Sequence, residues 1–235
     1  MLEAVLFDWQ LTLVSFEWDD ELLASGHRAG LAALGREDEA GAFTERFAAE
    51  QLPALRELGA FEHLDYREEL RAALGGVSDE ELDRFLDAEH DAWRPARALV
   101  GGALALLESL RERGLRLAVV ANTWPDPPRL VRRELGDLGV AARVDAIVLS
   151  GEVGARKPAA AIFERALAEL GVDALEALFV GDRLVDDVSG AAAAGMTTAQ
   201  ALWFRADDAS AEIEPDFLAF TPADVLTAVK QLGPY

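Results

Sequence analysis

The sequence predicts an α/β fold, a doubly wound parallel sheet with an α-helical segment inserted after its first strand. Three observations carry this. Ala4–Phe7 is a short run that is apolar throughout, the pattern of a strand buried on both faces. From about Trp18 to Trp93, apolar residues recur at helical spacing and no strand-like run occurs. From Arg97 onward, apolar runs alternate with helical patterns. Alternating β and α segments build a parallel sheet with right-handed crossovers.

The elements follow in order. Thr12–Phe16 connects the first strand to the insertion. Within the insertion, Leu22, Leu23, Gly26, Gly30, Leu31 and Leu34 mark one helical stripe. Phe43, Phe47, Leu52, Leu55 and Leu58 mark a second, Leu64, Leu70 and Leu74 a third, and Leu82, Phe85, Leu86 and Trp93 a fourth. Gly35, Gly59 and Gly75-Gly76 stand where helices stop. Ser78-Asp79-Glu80-Glu81 is a capping box, with Ser78 as N-cap and Glu81 three residues on. The chain therefore divides into a core, residues 1–14 and 96–235, and a bundle of about four helices, residues 15–95. In the core, Gly101–Arg113 is a helix closed by Gly114, and Leu115–Ala121 is a strand. Pro127–Leu138 is a helix with prolines at its start. Val144–Leu149 is a strand ending at Ser150-Gly151-Glu152, and Ala159–Leu170 is a helix. Ala177–Val180 is a strand ending at Gly181-Asp182, and Val185–Ala194 is a helix closed by Gly195. Thr197–Ala201 and Phe217–Ala219 are strands, and Pro222–Leu232 is the last helix.

Composition narrows the function. A chain of 235 residues that is 51% hydrophobic can bury a large core. It contains no cysteine, which excludes disulfides, thiol chemistry and thiolate-bound metals. No apolar run reaches the roughly 18 residues needed to cross a bilayer. The N-terminus shows no basic segment followed by an apolar one, so a cytoplasmic location is expected. With 22 basic and 43 acidic residues the net charge is −21, which argues against nucleic acid as a partner because phosphate backbones would be repelled. Gly151-x-x-Gly154 is not followed by Gly-Lys-Ser/Thr, and no G-x-G-x-x-G follows the first strand, so nucleotide-binding loops are absent.

Polar residues break into the apolar pattern at the carboxyl ends of four successive strands, where ligands bind in open α/β sheets. Asp8 ends the first strand and Asn122 follows the second. Lys157, one of only two lysines, lies after the third, and Asp182, Asp186 and Asp187 follow the fourth. Each residue has a plain structural explanation, as a turn, a cap or a solvated charge. Together they predict a site at one edge of the sheet. A carboxylate can attack phosphorus, facing carboxylates can hold Mg²⁺, and a lysine can neutralise both nucleophile and phosphate.

At these residues the chain resembles the haloacid dehalogenase-like (HAD) superfamily. The resemblance rests on Phe7-Asp8-Trp9-Gln10-Leu11-Thr12-Leu13 and Val119-Val120-Ala121-Asn122-Thr123. It rests further on Val153-Gly154-Ala155-Arg156-Lys157-Pro158 with Ile162-Phe163, and on Val180-Gly181-Asp182-Arg183-Leu184-Val185-Asp186-Asp187 with Gly190-Ala191 and Ala194-Gly195-Met196. It implies a Rossmannoid core, a C1-type helical cap, Mg²⁺ as cofactor and a small phosphorylated substrate held between core and cap. By the same resemblance Asp8 is the nucleophile and a metal ligand, with the Gln10 backbone carbonyl and Asp182 completing the ligands. Asp187, in preference to Asp186, binds metal-bound water or orients Lys157. Lys157 and Asn122 join the catalytic set, and Trp9, Thr12, Asn122, Thr123 and Trp124 the substrate-binding set.

Two positions depart from the family pattern. The phosphatases carry a second aspartate where this chain has Gln10, and it protonates the leaving group. An amide cannot do so, and losing a general acid typically costs ~10²–10⁴-fold in rate. A serine or threonine usual at Ala121 is also missing, with Thr123 two residues on as a substitute. Three readings follow. The first is a phosphatase that is weak, confined to good leaving groups such as acyl phosphates, or served by an insertion acid such as Glu17 or Asp20. The second is a catalytically inactive binding or regulatory protein. The third is a dehalogenase-type hydrolase, disfavoured because no arginine precedes Arg28 after the first motif.

Other residues receive structural roles. His27, His63 and His90 all fall in the insertion and show no metal-ligand spacing. Phe16, Trp18 and Trp203 are expected to join insertion and core, and Arg156 to pair with Glu152 on the surface. A shared Mg²⁺ site requires Asp8 and Asp182 within about 6 Å, because both must reach one ion at ~2.0–2.1 Å.

Overall fold

A computed structural model describes residues 1–16, 19–57, 66–204 and 213–233, with the backbone alone for 51–57. Glu17, Trp18, Leu58, Gly59, His63 and Leu64 lie outside the described residues. Six parallel strands form one sheet in the order β3-β2-β1-β4-β5-β6. They are β1 Ala4–Phe7, β2 Arg116–Ala121, β3 Ala146–Leu149, β4 Ala177–Gly181, β5 Thr197–Ala201 and β6 Phe217–Ala219. The fold is the expected doubly wound α/β sheet, with β1 at its centre.

The continuous apolar runs are explained by burial on both faces. Side chains alternate along a strand, so Val5, Phe7, Leu117, Val119, Leu178 and Val180 enter one core. Ala4, Leu6, Ala118, Val120, Ala177 and Phe179 enter the other. Helices α5 (Ala103–Glu112), α6 (Pro128–Asp137) and α10 (Pro222–Leu232) cover the first face, and α8 (Ala160–Leu170) and α9 (Gly190–Ala193) cover the second.

Between β1 and α5 run α1 (Asp20–Ala33), α2 (Ala40–Glu57), α3 (Tyr66–Ala73) and α4 (Asp79–Trp93). They bury a third core that includes Leu31, Phe43, Phe47, Leu70 and Phe85. α1 and α4 approach closely at two glycines. A Cβ on Gly26 would stand 2.6 Å from the Trp93 indole, and one on Gly30 would stand 2.6 Å from the Phe85 ring. The capping box forms, with the Glu81 N–H donating to Ser78 Oγ and the Ser78 N–H to Glu81 Oε2. The chain leaves and re-enters the sheet layer through paired segments. The Ser15 N–H donates to the Ala98 carbonyl at 2.7 Å, and the Val100 N–H to the Leu13 carbonyl at 3.0 Å. No described helix is long and apolar enough to cross a membrane.

Three boundaries differ from expectation for physical reasons. β3 begins at Ala146, because Asp145 uses both its N–H and its carboxylate to tie off β2 at Leu117. Ser150–Val153 winds one helical turn, α7, closed by Gly154 at φ 74°. The helix expected over 185–194 starts as a π-helical segment, Leu184–Ser189. There the Val188 N–H reaches the Arg183 carbonyl five residues back, and π segments of this kind cluster at functional sites.

The third core also holds polar groups. His27 is fully buried with its ring edges on Phe43 and Phe47, and burial pushes it down to about 3. Glu89 is raised well above its ordinary range by the same burial. The two lie 3.8 Å apart, beyond hydrogen-bond reach, and their environment favours the neutral form of each. Tyr66 Oη donates to Glu89 Oε1 at 3.0 Å, and burial, with the Glu89 carboxyl it faces, raises Tyr66 well above its usual 10.0. The native protein thus keeps a proton that the unfolded chain releases. The stability this confers is complete below pH 10 and falls above it by about 1.4 kcal/mol per pH unit. Urea unfolding from about pH 9 to about pH 11 should show this slope, and Tyr66→Phe should flatten it by one proton. Parallel slopes in the two proteins would refute the assignment.

Candidate active site

The carboxyl ends of the first four strands deliver the components. At the end of β1, the Asp8 N–H continues the sheet by donating to the Val180 carbonyl at 2.9 Å. The chain then turns back, with the Leu13 and Val14 N–H groups both donating to the Trp9 carbonyl and Leu11 at φ 56°. At the end of β2, the Asn122 side chain mimics a peptide group. Its Nδ2 donates to the Lys157 carbonyl at 3.1 Å, and its Oδ1 accepts the Lys157 N–H at 2.8 Å. This clamp holds the loop after β3 against β2.

Lys157 is only 2% exposed. Its Nζ donates to Asp8 Oδ1 at 2.5 Å and to Asp187 Oδ1 at 2.6 Å. The π segment after β4 brings Asp187 back toward the sheet, where its Oδ2 accepts the Arg183 N–H at 3.0 Å. Gly181 makes room, since a Cβ there would collide with the Asp187 carboxyl. Asp8, Asp182 and Asp187 each present a carboxylate oxygen, all within 4.8 Å of one another. The requirement that Asp8 and Asp182 lie within about 6 Å is met. Burial pushes Asp8 up to about 6, against the pull of Lys157 and with the help of Asp187. Burial also works to lower Lys157, but the Asp187 and Asp8 carboxylates outweigh it and raise the ammonium above its usual value.

Three buried carboxylates gather here, and the one ammonium bonds two of them, Asp8 and Asp187, so negative charge is in excess where charge is expensive to bury. The donors are all oxygen, the set preferred by Mg²⁺ and other hard divalent cations. The chemistry of the residues fits such an ion. Above them lies a cavity of about 330 Å³, lined by Asp8, Gln10, Ala121, Asn122, Lys157 and the acidic residues after β4. Trp9, Leu11, Phe16 and Trp124 form apolar walls, and Arg156 and Arg183 add positive charge.

With this geometry in view, comparison with known proteins is decisive. A sequence model of the haloacid dehalogenase-like hydrolase family matches residues 2–195. The chain belongs to this family. Among curated relatives, glyceraldehyde 3-phosphate phosphatase of Methanopyrus kandleri is 30% identical, with 99% of each chain covered. Ribulose-1,5-bisphosphate 5-phosphatase of Halopiger xanaduensis is 29% identical over 84% of each. Among solved structures, a HAD phosphatase from Thermococcus onnurineus superposes with a TM-score of 0.68 at 24% identity, covering 97% of this chain and 98% of the other. A 2-haloacid dehalogenase from Pseudomonas syringae reaches 0.65 at 24% identity, covering 99% and 100%. These two share the fold.

Seen as a HAD-like hydrolase, the site departs from the sequence reading at three residues. Thr12 is fully buried and outside the cavity lining, with its Oγ1 3.5 Å from Asp8 Oδ2. It supports the loop that carries Asp8 and does not face the cavity. Thr123 also lies outside the lining. Its Oγ1 accepts the Gly151 N–H at 3.0 Å and stands 3.2 Å from Ser150 Oγ, so it does not replace the hydroxyl missing at Ala121. Arg156 does not pair with Glu152. Arg132 takes that carboxylate with two bonds of 2.7 Å, and Arg156 lines the cavity instead.

Asp186 faces Arg183 at 3.6 Å while Asp187 holds Lys157. Asp20 is exposed at the start of α1 and outside the cavity lining. Phe16 packs tilted on Trp93 at 6.4 Å, and the Trp203 indole N–H donates to the Thr12 carbonyl at 3.1 Å.

A second buried charge cluster has no local signal in the sequence. Arg97 donates to Glu134 at 2.8 Å and to Asp126, and His90 Nδ1 stands 2.8 Å from Asp126 Oδ1. Burial opposes the Asp126 charge, but His90 and Arg97 outweigh it and hold the carboxyl below its usual range. The Trp9 side chain also favours the charged form of Glu134, so this cluster lies against one wall of the cavity.

Lys157→Met should reveal the central constraint, because it keeps the length of the side chain while leaving Asp8 and Asp187 without a cation. In metal-free buffer at neutral pH, unfolding free energy should fall by about 3–5 kcal/mol. A loss within 1 kcal/mol of zero would mean that the ammonium does not hold the carboxylates together.

Proposed function

We propose that this HAD-like hydrolase is a metal-dependent phosphatase that cleaves a small phosphorylated metabolite through an aspartyl-phosphate on Asp8. The observation that carries the reading is Asp8 itself, a buried carboxylate at a cavity floor, bonded to Lys157 and within reach of Asp182 and Asp187. The phosphatase names of the relatives, including a phosphoserine phosphatase of Thermus thermophilus 38% identical over 62% of this chain, support the reaction class. The cavity is at the small end of ligand sites, which suits a metabolite of a few carbons.

In this mechanism an Asp8 oxygen attacks phosphorus as the bond to the leaving oxygen breaks, and the leaving oxygen keeps the bonding pair. Water then attacks the phosphorus of the acyl phosphate, releasing inorganic phosphate and restoring the Asp8 carboxylate. Lys157 neutralises Asp8 and offers its remaining charge to the phosphoryl oxygens. Asn122 acts through Lys157, whose backbone it clamps. Asp8, Asp182, Asp187 and the Gln10 carbonyl would hold Mg²⁺, which when bound offsets repulsion between nucleophile and phosphate. Trp9 and Trp124 shield the reacting group from water. Residues 15–95 form a C1-type cap over the cavity, opening at Val14-Ser15 and Arg94-Pro95-Ala96.

Gln10 decides how strong the activity is. It lines the cavity but has no proton to give, so the leaving group must depart unprotonated or take a proton from water. Acyl phosphates leave as carboxylates and need no acid. Phosphate release from acetyl phosphate should therefore exceed release from alkyl phosphates, and Asp8→Asn should abolish both. Gln10→Asp should accelerate alkyl phosphates by ~10²–10⁴-fold and acetyl phosphate little. Turnover that survives Asp8→Asn would refute aspartyl catalysis. Silence in the starting protein and in Gln10→Asp would favour a binding protein built on the hydrolase scaffold, the reading that Gln10 and Ala121 together support.

Metal binding has its own readout. Mg²⁺ at about 100 times its dissociation constant should stabilise the fold by about 2.7 kcal/mol, seen as a rise in Tm. Asp182→Asn should remove that rise. A Tm indifferent to Mg²⁺ in the starting protein would remove the metal from the mechanism.

A further inference from the structure

Arg156 is the feature of the cavity that the chemistry above leaves unused. It precedes Lys157 in the chain and lines the same cavity as Asp8 and Asn122. Its Nε is buried without a hydrogen-bond partner among the described residues, and no described carboxylate lies within ion-pair distance of it. The other two cations of the cavity have acidic neighbours. Lys157 is held by Asp8 and Asp187, and Arg183 stands 3.6 Å from Asp186. Glu152, the acid close to Arg156 in sequence, is held by Arg132. In a chain with 43 acidic residues against 22 basic ones, an arginine left facing a cavity without a carboxylate is conspicuous. A guanidinium half-withdrawn from water gains most from a planar or tetrahedral oxyanion that can take two of its N–H groups.

We infer that Arg156 receives a second anionic group of the substrate, so that the compound cleaved at Asp8 is a phosphomonoester that also carries a carboxylate or a second phosphate. The inference rests on the phosphatase reading and narrows it to a substrate class. It also answers an electrostatic problem. A protein of charge −21 repels doubly anionic metabolites at long range, and Arg156 supplies local compensation for a second anionic group beside that which Lys157 gives the phosphoryl group. The apolar walls of Trp9 and Trp124 offer the carbon skeleton a surface but no charge.

The test uses substrates paired by skeleton. 3-Phosphoglycerate is compared with glycerol 3-phosphate, and fructose 1,6-bisphosphate with fructose 1-phosphate. The first pair probes a carboxylate and the second a further phosphate. In the starting protein, kcat/KM should favour the anionic member of at least one pair by about 10- to 100-fold, the usual worth of a charge-assisted hydrogen bond. Arg156→Gln should bring that ratio to within about threefold, chiefly through KM, and Arg156→Lys should restore part of it. Equal kcat/KM within both pairs, or an equal loss on both members in Arg156→Gln, would overturn the inference. Calorimetric titration of the same four compounds tests it without turnover. Tighter binding of the anionic member that disappears in Arg156→Gln supports a second-anion site even if no ester is cleaved, and equal binding within each pair overturns it. The failure of the phosphatase reading, which is absence of turnover, is thereby separated from the failure of this one.

Discussion

The structure of the site depends on one ammonium shared by two buried carboxylates. Asp8 and Asp187 follow strands that are neighbours in the sheet, and without Lys157 between them their charges would repel across a few ångströms in a medium that screens poorly. Much of the surrounding structure serves that contact. Asn122 fixes the backbone of Lys157, Gly181 leaves space for Asp187, and the π segment turns Asp187 inward. A buried ion pair of this kind adds little net stability, yet removing one member is strongly destabilising. The arrangement is therefore better understood as preorganisation of charge than as a source of folding energy.

Much of the architecture was legible because it follows from local pattern. Ala4–Phe7 and Ala177–Val180 are apolar at every position, and only strands with both faces covered tolerate that. The helices of the insertion announced themselves by stripe and by the Ser78–Glu81 cap. The strand-end residues Asp8, Asn122, Lys157 and Asp182 were legible because each interrupts an apolar pattern at the point where a parallel sheet presents its ligand edge. What local pattern does not encode is partner choice between distant segments. Arg132 reaches Glu152 from α6 and so frees Arg156, and nothing in the run Gly151–Lys157 announces it. Thr12 and Thr123 sit beside the site in sequence but turn toward Asp8 and Ser150. The cluster of Arg97, Asp126, Glu134 and His90 draws on four separate segments. The π segment arises where the Asp187 carboxylate competes for the Arg183 N–H, a tertiary demand that helical periodicity over 184–194 conceals.

Gln10 and Ala121 separate two functions that are usually found together. The charge-bearing residues, the oxygen cage and the cavity are all in place, while a proton donor and a hydroxyl are missing at the two positions where the family pattern has them. On the phosphatase reading, the retained part is the one that would bind a phosphoryl group and compensate its charge. The absent part is the one that assists a poor leaving group. The distinction turns the amide at position 10 from a defect into a statement about leaving-group chemistry.

The paired segments that carry the chain out of and back into the sheet layer have an architectural consequence. Leu13 to Ser15 and Ala98 to Val100 are hydrogen-bonded to one another, so the two ends of the insertion are spatial neighbours. Everything between them hangs from a closed stem, much as a loop hangs from the two strands of a hairpin. Evolution can lengthen, shorten or exchange such a module without stretching the sheet, because the stem already satisfies the backbone at the junction. Changes in what the protein recognises can accumulate in the appended helices while the chemistry at the strand ends is inherited intact.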